Sequence, residues 1–142
     1  MPQTKKEITY FNQPGSTNTE EVLRLAKERA KELGIQHVVV ASTTGETGVR
    51  ASETFKGIKV VAVSHSTGFK EPEAQQMTEE NRKKIEENGG KVLTCMHTFS
   101  GVERAIRNKF ATAYPAEIMA QTLRLGRAPK IPCKFLASCY DR

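Results

Sequence analysis

Short β-branched runs alternate with longer stretches of helical periodicity, and this alternation restricts the chain to a small set of folds. HVVVAS at 37–42, IKVVAVS at 58–64 and KVLTCM at 91–96 are each too short for a helix and too apolar for a loop. EITYFN at 7–12, which alternates polar and apolar residues as far as Tyr10, reads as a fourth strand. Between them the apolar residues recur at helical spacing, which is the pattern of βαβ units around a mostly parallel sheet.

A helix is predicted over 17–33, where Thr17 and Glu20 have capping-box spacing and Val22, Ala26, Ala30 and Leu33 form one apolar face. Gly34 ends it. A second helix is expected over 47–55, and a third over 78–87, capped by Thr78, stopped by Gly89 and Gly90, and charged enough to face solvent. Val102, Ile106 and Phe110 predict a helix over 100–109, and Pro115 can open another through 125 as its first helical residue. The expected architecture is therefore α/β, with a mostly parallel sheet.

With 142 residues, the chain is one domain of ordinary size. Its 37% hydrophobic and 27% charged residues are those of a globular protein, and no apolar run approaches the roughly 20 residues needed to cross a bilayer. The start, MPQTKKEITYFNQPG, has no apolar core of a secretory signal, so a cytoplasmic location is expected. Cys95, Cys133 and Cys139 have the spacing of neither a zinc site nor a disulfide framework, and Cys95, between Leu93 and Met96, reads as a small buried hydrophobe.

The net charge of +6 does not by itself imply nucleic-acid binding, because Arg127, Lys130, Lys134 and Arg142, set against Asp141, concentrate half of it after 126. Only 6% of residues are aromatic and no RNA-stacking motif is present, so nucleic acid is an unlikely partner.

Open parallel sheets bind ligands beyond the carboxyl ends of their strands, where helix N-termini converge. In this chain those ends read Asn12, then Ser42-Thr43-Thr44-Gly45, then Ser64-His65-Ser66-Thr67-Gly68, then His97-Thr98. The second of these continues through Glu46, Thr47 and Gly48 to Arg50. Its glycines permit close backbone approach, its hydroxyls and helix-start amides suit a phosphate, and Arg50 could add charge. It lacks the Gly-Lys-Ser/Thr ending of a Walker A loop and the GxGxxG pattern, and a capped strand-to-helix turn without ligand is the competing reading. The candidate ligand-binding residues are Asn12, Ser42, Thr43, Thr44, Gly45, Thr47, Gly48, His65 and Ser100. His65 and His97 are the candidates for acid/base chemistry, with Glu46 and Glu103 the nearest carboxylates by position. A Cys95/His97 nucleophile pair is disfavoured, since a buried thiol has a raised pKa.

The segment HVVVASTTGETGVRA at 37–51 resembles the phosphate-binding segment of the pyruvate kinase C-terminal domain. YFNQPG at 10–15, NTEE at 18–21, TGF at 67–69 and SGVER at 100–104 are similar to stand-alone, mostly archaeal proteins of that fold. The resemblance covers about 7–125 and implies a three-layer α/β/α domain without the catalytic barrel, so pyruvate kinase activity is not implied. By position it assigns phosphate holding to Ser42, Thr43, Thr44, Gly45 and Thr47, and implies flavin mononucleotide (FMN) as a candidate cofactor. Glu46 departs from such use, because a carboxylate beside a phosphate is repulsive unless it turns away.

A domain over 1–125 is thus expected, followed by an atypical basic tail over 126–142. Proteins of this kind continue with a Gly-rich turn, a strand and a helix, whereas GRAPKIPCKFLASCYDR, with Pro129 and Pro132, does not suit a central strand; a truncation or shifted frame is expected there. The functional expectation is a domain that holds a phosphorylated small molecule and is not itself catalytic. The alternatives are an enzyme on a phosphorylated metabolite or flavin that uses His65 or His97, and a protein interaction module, with a homodimer through an open sheet edge.

Overall fold

The computed structural model describes residues 7–68, 71–96 and 101–111 with Pro115, Ile118 and Met119, and of residues 101–104 the backbone alone. Three parallel strands, β1 (His37–Ala41), β2 (Lys59–His65) and β3 (Lys91–Cys95), lie in the order β1-β2-β3. Helices α1 (Thr19–Leu33), α2 (Glu46–Thr54), α3 (Glu79–Glu87) and α4 (Gly101–Phe110) complete the order, with a 3-10 turn at Ser16–Asn18. The parallel α/β character expected from the alternation is the observed one. The helix expected over 115–125 lies almost wholly outside the described residues.

The helix stops follow from glycine placement. Gly34 takes φ 65°, and Ile35 N–H donates to Ala30 O at 2.9 Å while Gly34 N–H donates to Lys31 O at 3.2 Å, closing a Schellman turn. The same pair of bonds recurs after α3, from Gly90 to Ile85 and from Gly89 to Glu86, both at 2.9 Å. At the start of α3 Thr78 Oγ1 accepts from Asn81 N–H at 3.2 Å, as its position predicts.

Three expectations are corrected. Residues 7–12 form no strand: the segment is irregular and exposed, with Tyr10 at 84%. Alternation over 7–10 suits a strand, but a strand also needs a ladder partner for its backbone groups. The capping box of Thr17 with Glu20 is also absent, since α1 starts at Thr19 with Asn18 as N-cap, whose side chain instead donates to Gln13 O at 2.6 Å. Finally, the buried face of α1 is marked by Leu23 and Ala30, while Val22 and Leu33 are exposed. Leu23 carries more apolar area than the alanines of the expected face, so rotating it inward gains more.

Among the described residues the buried core lies on one face of the sheet. Leu23, Ala30, Ala51, Phe55 and Val60 form one cluster with Val38, Val40 and Ile58. Ala62, Met77 and Ile85 form a second with Val40, Val49 and Val92. The pleat sends alternate residues to opposite faces, so α1, α2 and α3 cover the face of Val60 and Ala62, and half-buried Val39, Val61, Val63 and Leu93 occupy the other. Cys95 shares that second face and is half-buried rather than buried. Among the described residues no helix is long and apolar enough to cross a membrane.

Candidate functional site

The turn 42–48 is built around the start of α2. Gly45 occupies the N-cap position with φ 101° and has no side chain to cap with. Ser42 supplies that function from the end of β1: its buried Oγ accepts from Gly48 N–H at 3.0 Å. Val49 N–H donates to Gly45 O at 2.9 Å, the first regular bond of the helix. The N–H groups of Glu46 and Thr47 precede that ladder and are left to solvent or a ligand at the positive end of the helix dipole.

Packing decides both glycines. A Cβ on Gly45 would stand 2.7 Å from Met77 Sδ and would also collide with the Asn81 side chain, and one on Gly48 would meet Ile85 Cδ1 at 2.8 Å and Ala62 Cβ at 3.0 Å. Thr44 O accepts from Asn81 Nδ2 at 3.0 Å and from Thr78 N–H at 3.3 Å, which ties the turn to the start of α3. Ser42, Gly45 and Gly48 are therefore structural supports, and the groups facing outward are exposed Thr44 and half-buried Thr43 and Thr47. Glu46 is exposed in the first turn of α2, where the helix dipole favours a carboxylate. Arg50 does not supply charge to the turn as expected: its Nη1 lies 3.1 Å from Glu20 Oε1, linking α2 to α1.

The other expected residues are dispersed. Asn12 lies at no strand end, because the strand expected before it does not form. His65 is the last residue of β2, and alternation places it on the face opposite Ser64. Its Nδ1–H donates to Gln76 Oε1 at 3.1 Å, and its backbone O accepts from Gln75 Nε2 at 3.1 Å. Ser100 and His97 lie outside the described residues, and the side chain of Glu103 is likewise outside them.

A polar group not anticipated from the sequence stands beside the turn. Ser64 and Thr94 are register partners with hydroxyls 3.0 Å apart, and Ser42 N–H donates to Val63 O at 2.9 Å. Ser42, Ser64 and Thr94 thus form a hydroxyl row across the carboxyl end of the sheet, on its helix-covered face. Arg82 Nη2 donates to Thr94 Oγ1 at 3.2 Å from α3. The available signal was positional: Ser64 and Thr94 are penultimate in their strands, whereas Arg82 was hidden in a helix read as largely solvent-facing.

Parallel strands joined by crossover helices, with polar turns at their carboxyl ends, define an open-sheet α/β domain. Residues 20–128 match the family described as pyruvate kinase, alpha/beta domain, which spans more than half of the 142 residues. The chain belongs to that family.

Proposed function

We propose that the chain is a small-molecule-binding domain that holds a phosphate-bearing ligand at the carboxyl end of its sheet, acts in the cytoplasm and has no pyruvate kinase activity of its own. The observation that carries this reading is the turn 42–48, whose tight entry into α2 leaves the amides of Glu46 and Thr47 outward beside the hydroxyls of Thr43, Thr44 and Thr47. Amides at a helix start, with hydroxyls alongside, suit phosphate oxygens by both hydrogen bonding and dipole. Flavin mononucleotide is a candidate ligand, with its phosphate at the turn.

Gly45→Val is an unsuitable probe, since it would collide with Met77 and Asn81 and disturb the fold. Thr44→Val and Thr47→Val remove hydroxyls at nearly constant volume. Calorimetric titration with inorganic phosphate and with flavin mononucleotide should show binding that each variant weakens by about 3- to 10-fold, from the loss of a hydrogen bond of roughly 1 kcal/mol. Binding indifferent to both substitutions would refute a phosphate at the turn.

A protein interaction module is the second reading, favoured by the exposure of Ile8, Tyr10 and Phe11 within one short irregular segment. Sedimentation of the wild type against Ile8→Ser/Tyr10→Ser would separate the two: association that the substitutions abolish supports this reading.

A further inference from the structure

Most ion-paired basic side chains among the described residues are spent along helix surfaces. Arg24 pairs with Glu21 and Glu28, Arg29 with Glu32, and Lys84 with Glu80 at 2.6 Å, all within their own helices and about half exposed. Arg82 differs. Its side chain is 27% exposed, its nearest carboxylate is Glu79 Oε1 at 3.8 Å from Nε, and its hydrogen bond goes to the neutral hydroxyl of Thr94 at 3.2 Å. A separation of 3.8 Å is beyond hydrogen-bonding range, so Glu79 offsets the charge only in part. A guanidinium has five N–H donors, and a hydroxyl accepts one without neutralising anything. A partly covered cation in this situation gains from an anion that supplies both charge and acceptors.

The position of Arg82 links it to the turn by two routes. Thr94 joins Ser64, which lies in the hydroxyl row with Ser42, the residue that caps α2. Asn81, its neighbour in the chain, holds Thr44 O. We propose that Arg82 is a cationic binding residue at the carboxyl end of the sheet, contacting an anionic group of the ligand on the β2–β3 side, so that the site selects anions of the phosphate class over neutral molecules of similar shape. This inference rests on the reading that the turn receives a phosphate-bearing ligand.

The test is calorimetric titration of the full chain with inorganic phosphate, comparing wild type, Arg82→Gln, Arg82→Lys, Glu79→Gln, Thr44→Val and Thr47→Val. Arg82→Gln should weaken binding by about 10- to 100-fold, the range for a hydrogen bond to a charged group. Arg82→Lys should recover part of the loss, since it keeps the charge without the planar fork. Removing the competing carboxylate in Glu79→Gln should tighten binding a few-fold, which a purely structural role for Arg82 would not produce. If Thr47→Val weakens binding and Arg82→Gln does not, this inference is overturned and the reading of the turn stands. If Arg82→Gln weakens binding while Thr47→Val and Thr44→Val both leave it unchanged, Arg82 holds an anion away from the turn, and the reading of the turn falls together with the inference that rests on it. A wild type that takes up no phosphate at millimolar concentration overturns both. Should Arg82→Gln fail to fold, Glu79→Gln decides, and an affinity equal to wild type rejects the proposal.

Discussion

The turn 42–48 and the connection 66–78 each lead from the carboxyl end of a strand to a helix, yet different physics holds them. The first is short and fixed from beneath: buried Ser42 caps α2, while Gly45 and Gly48 lie against Met77, Asn81, Ile85 and Ala62. The second is longer, and its described residues are held by side-chain amides as well as by buried Met77. Gln75 donates to His65 O and Thr67 Oγ1 and accepts from Met77 N–H, and Gln76 accepts from His65. Close packing leaves the first turn one conformation, which suits presentation of amides to a ligand at little ordering cost. The bonds of Gln75 and Gln76 lie nearer to solvent than that packing, so substituting these two amides should disturb the core less than substituting Met77, which belongs to it.

The contrast is sharpest at Gly45. Gly45→Val combines a left-handed backbone, costing about 1–2 kcal/mol, with overpacking of about 1–3 kcal/mol. Against a total stability of roughly 5–15 kcal/mol it should lower the thermal midpoint by many degrees or abolish a cooperative melt in calorimetry. A near-normal melt would mean that the turn is not fixed by packing.

Ser42→Ala comes next. It strands the buried Gly48 N–H and should cost about 1–3 kcal/mol in urea unfolding. Gln75→Ala, in the longer connection, should cost about 1 kcal/mol or less, because its partners can turn to water. Equal losses for these two would erase the distinction between the regions.

The smallest effect concerns neither turn but the exposed helix surfaces. Arg24 beside Glu21, and Lys84 beside Glu80, hold each carboxyl below its ordinary value through a side-chain hydrogen bond. A depressed folded-state pKa contributes stability that is present above the unfolded value and lost as pH falls below about 4. The thermal midpoints of wild type and Glu21→Gln/Glu80→Gln should therefore differ slightly at pH 7, and the difference should shrink as the pH is lowered through the carboxylate range. A difference that does not shrink would assign it to something other than these pairs.

Much of this is legible locally. Short runs of β-branched and other apolar residues mark β1, β2 and β3, Thr78 marks the start of α3, and Gly34 and Gly89 mark the helix ends, because each acts through local pattern or bonds within a few residues. The expectation for 7–12 failed because alternation describes one strand and says nothing of a neighbour to pair with. The candidate site was half legible: hydroxyls and glycines point to the turn 42–48, but Ser42 and both glycines prove to be occupied in supporting it. Arg50 was read as available for a ligand, although Glu20, thirty positions earlier, holds it.

The sequence by itself determined an α/β chain, the places of its three described strands and the polar character of their carboxyl ends, since those depend on local periodicity and capping. Tertiary structure alone decided that Ser42, Ser64 and Thr94 share a row, that Arg82 joins it, and that Gly45 rests on Met77. Strand register and helix packing set these relations, which join residues twelve to more than thirty positions apart, and no local pattern in a chain encodes a register.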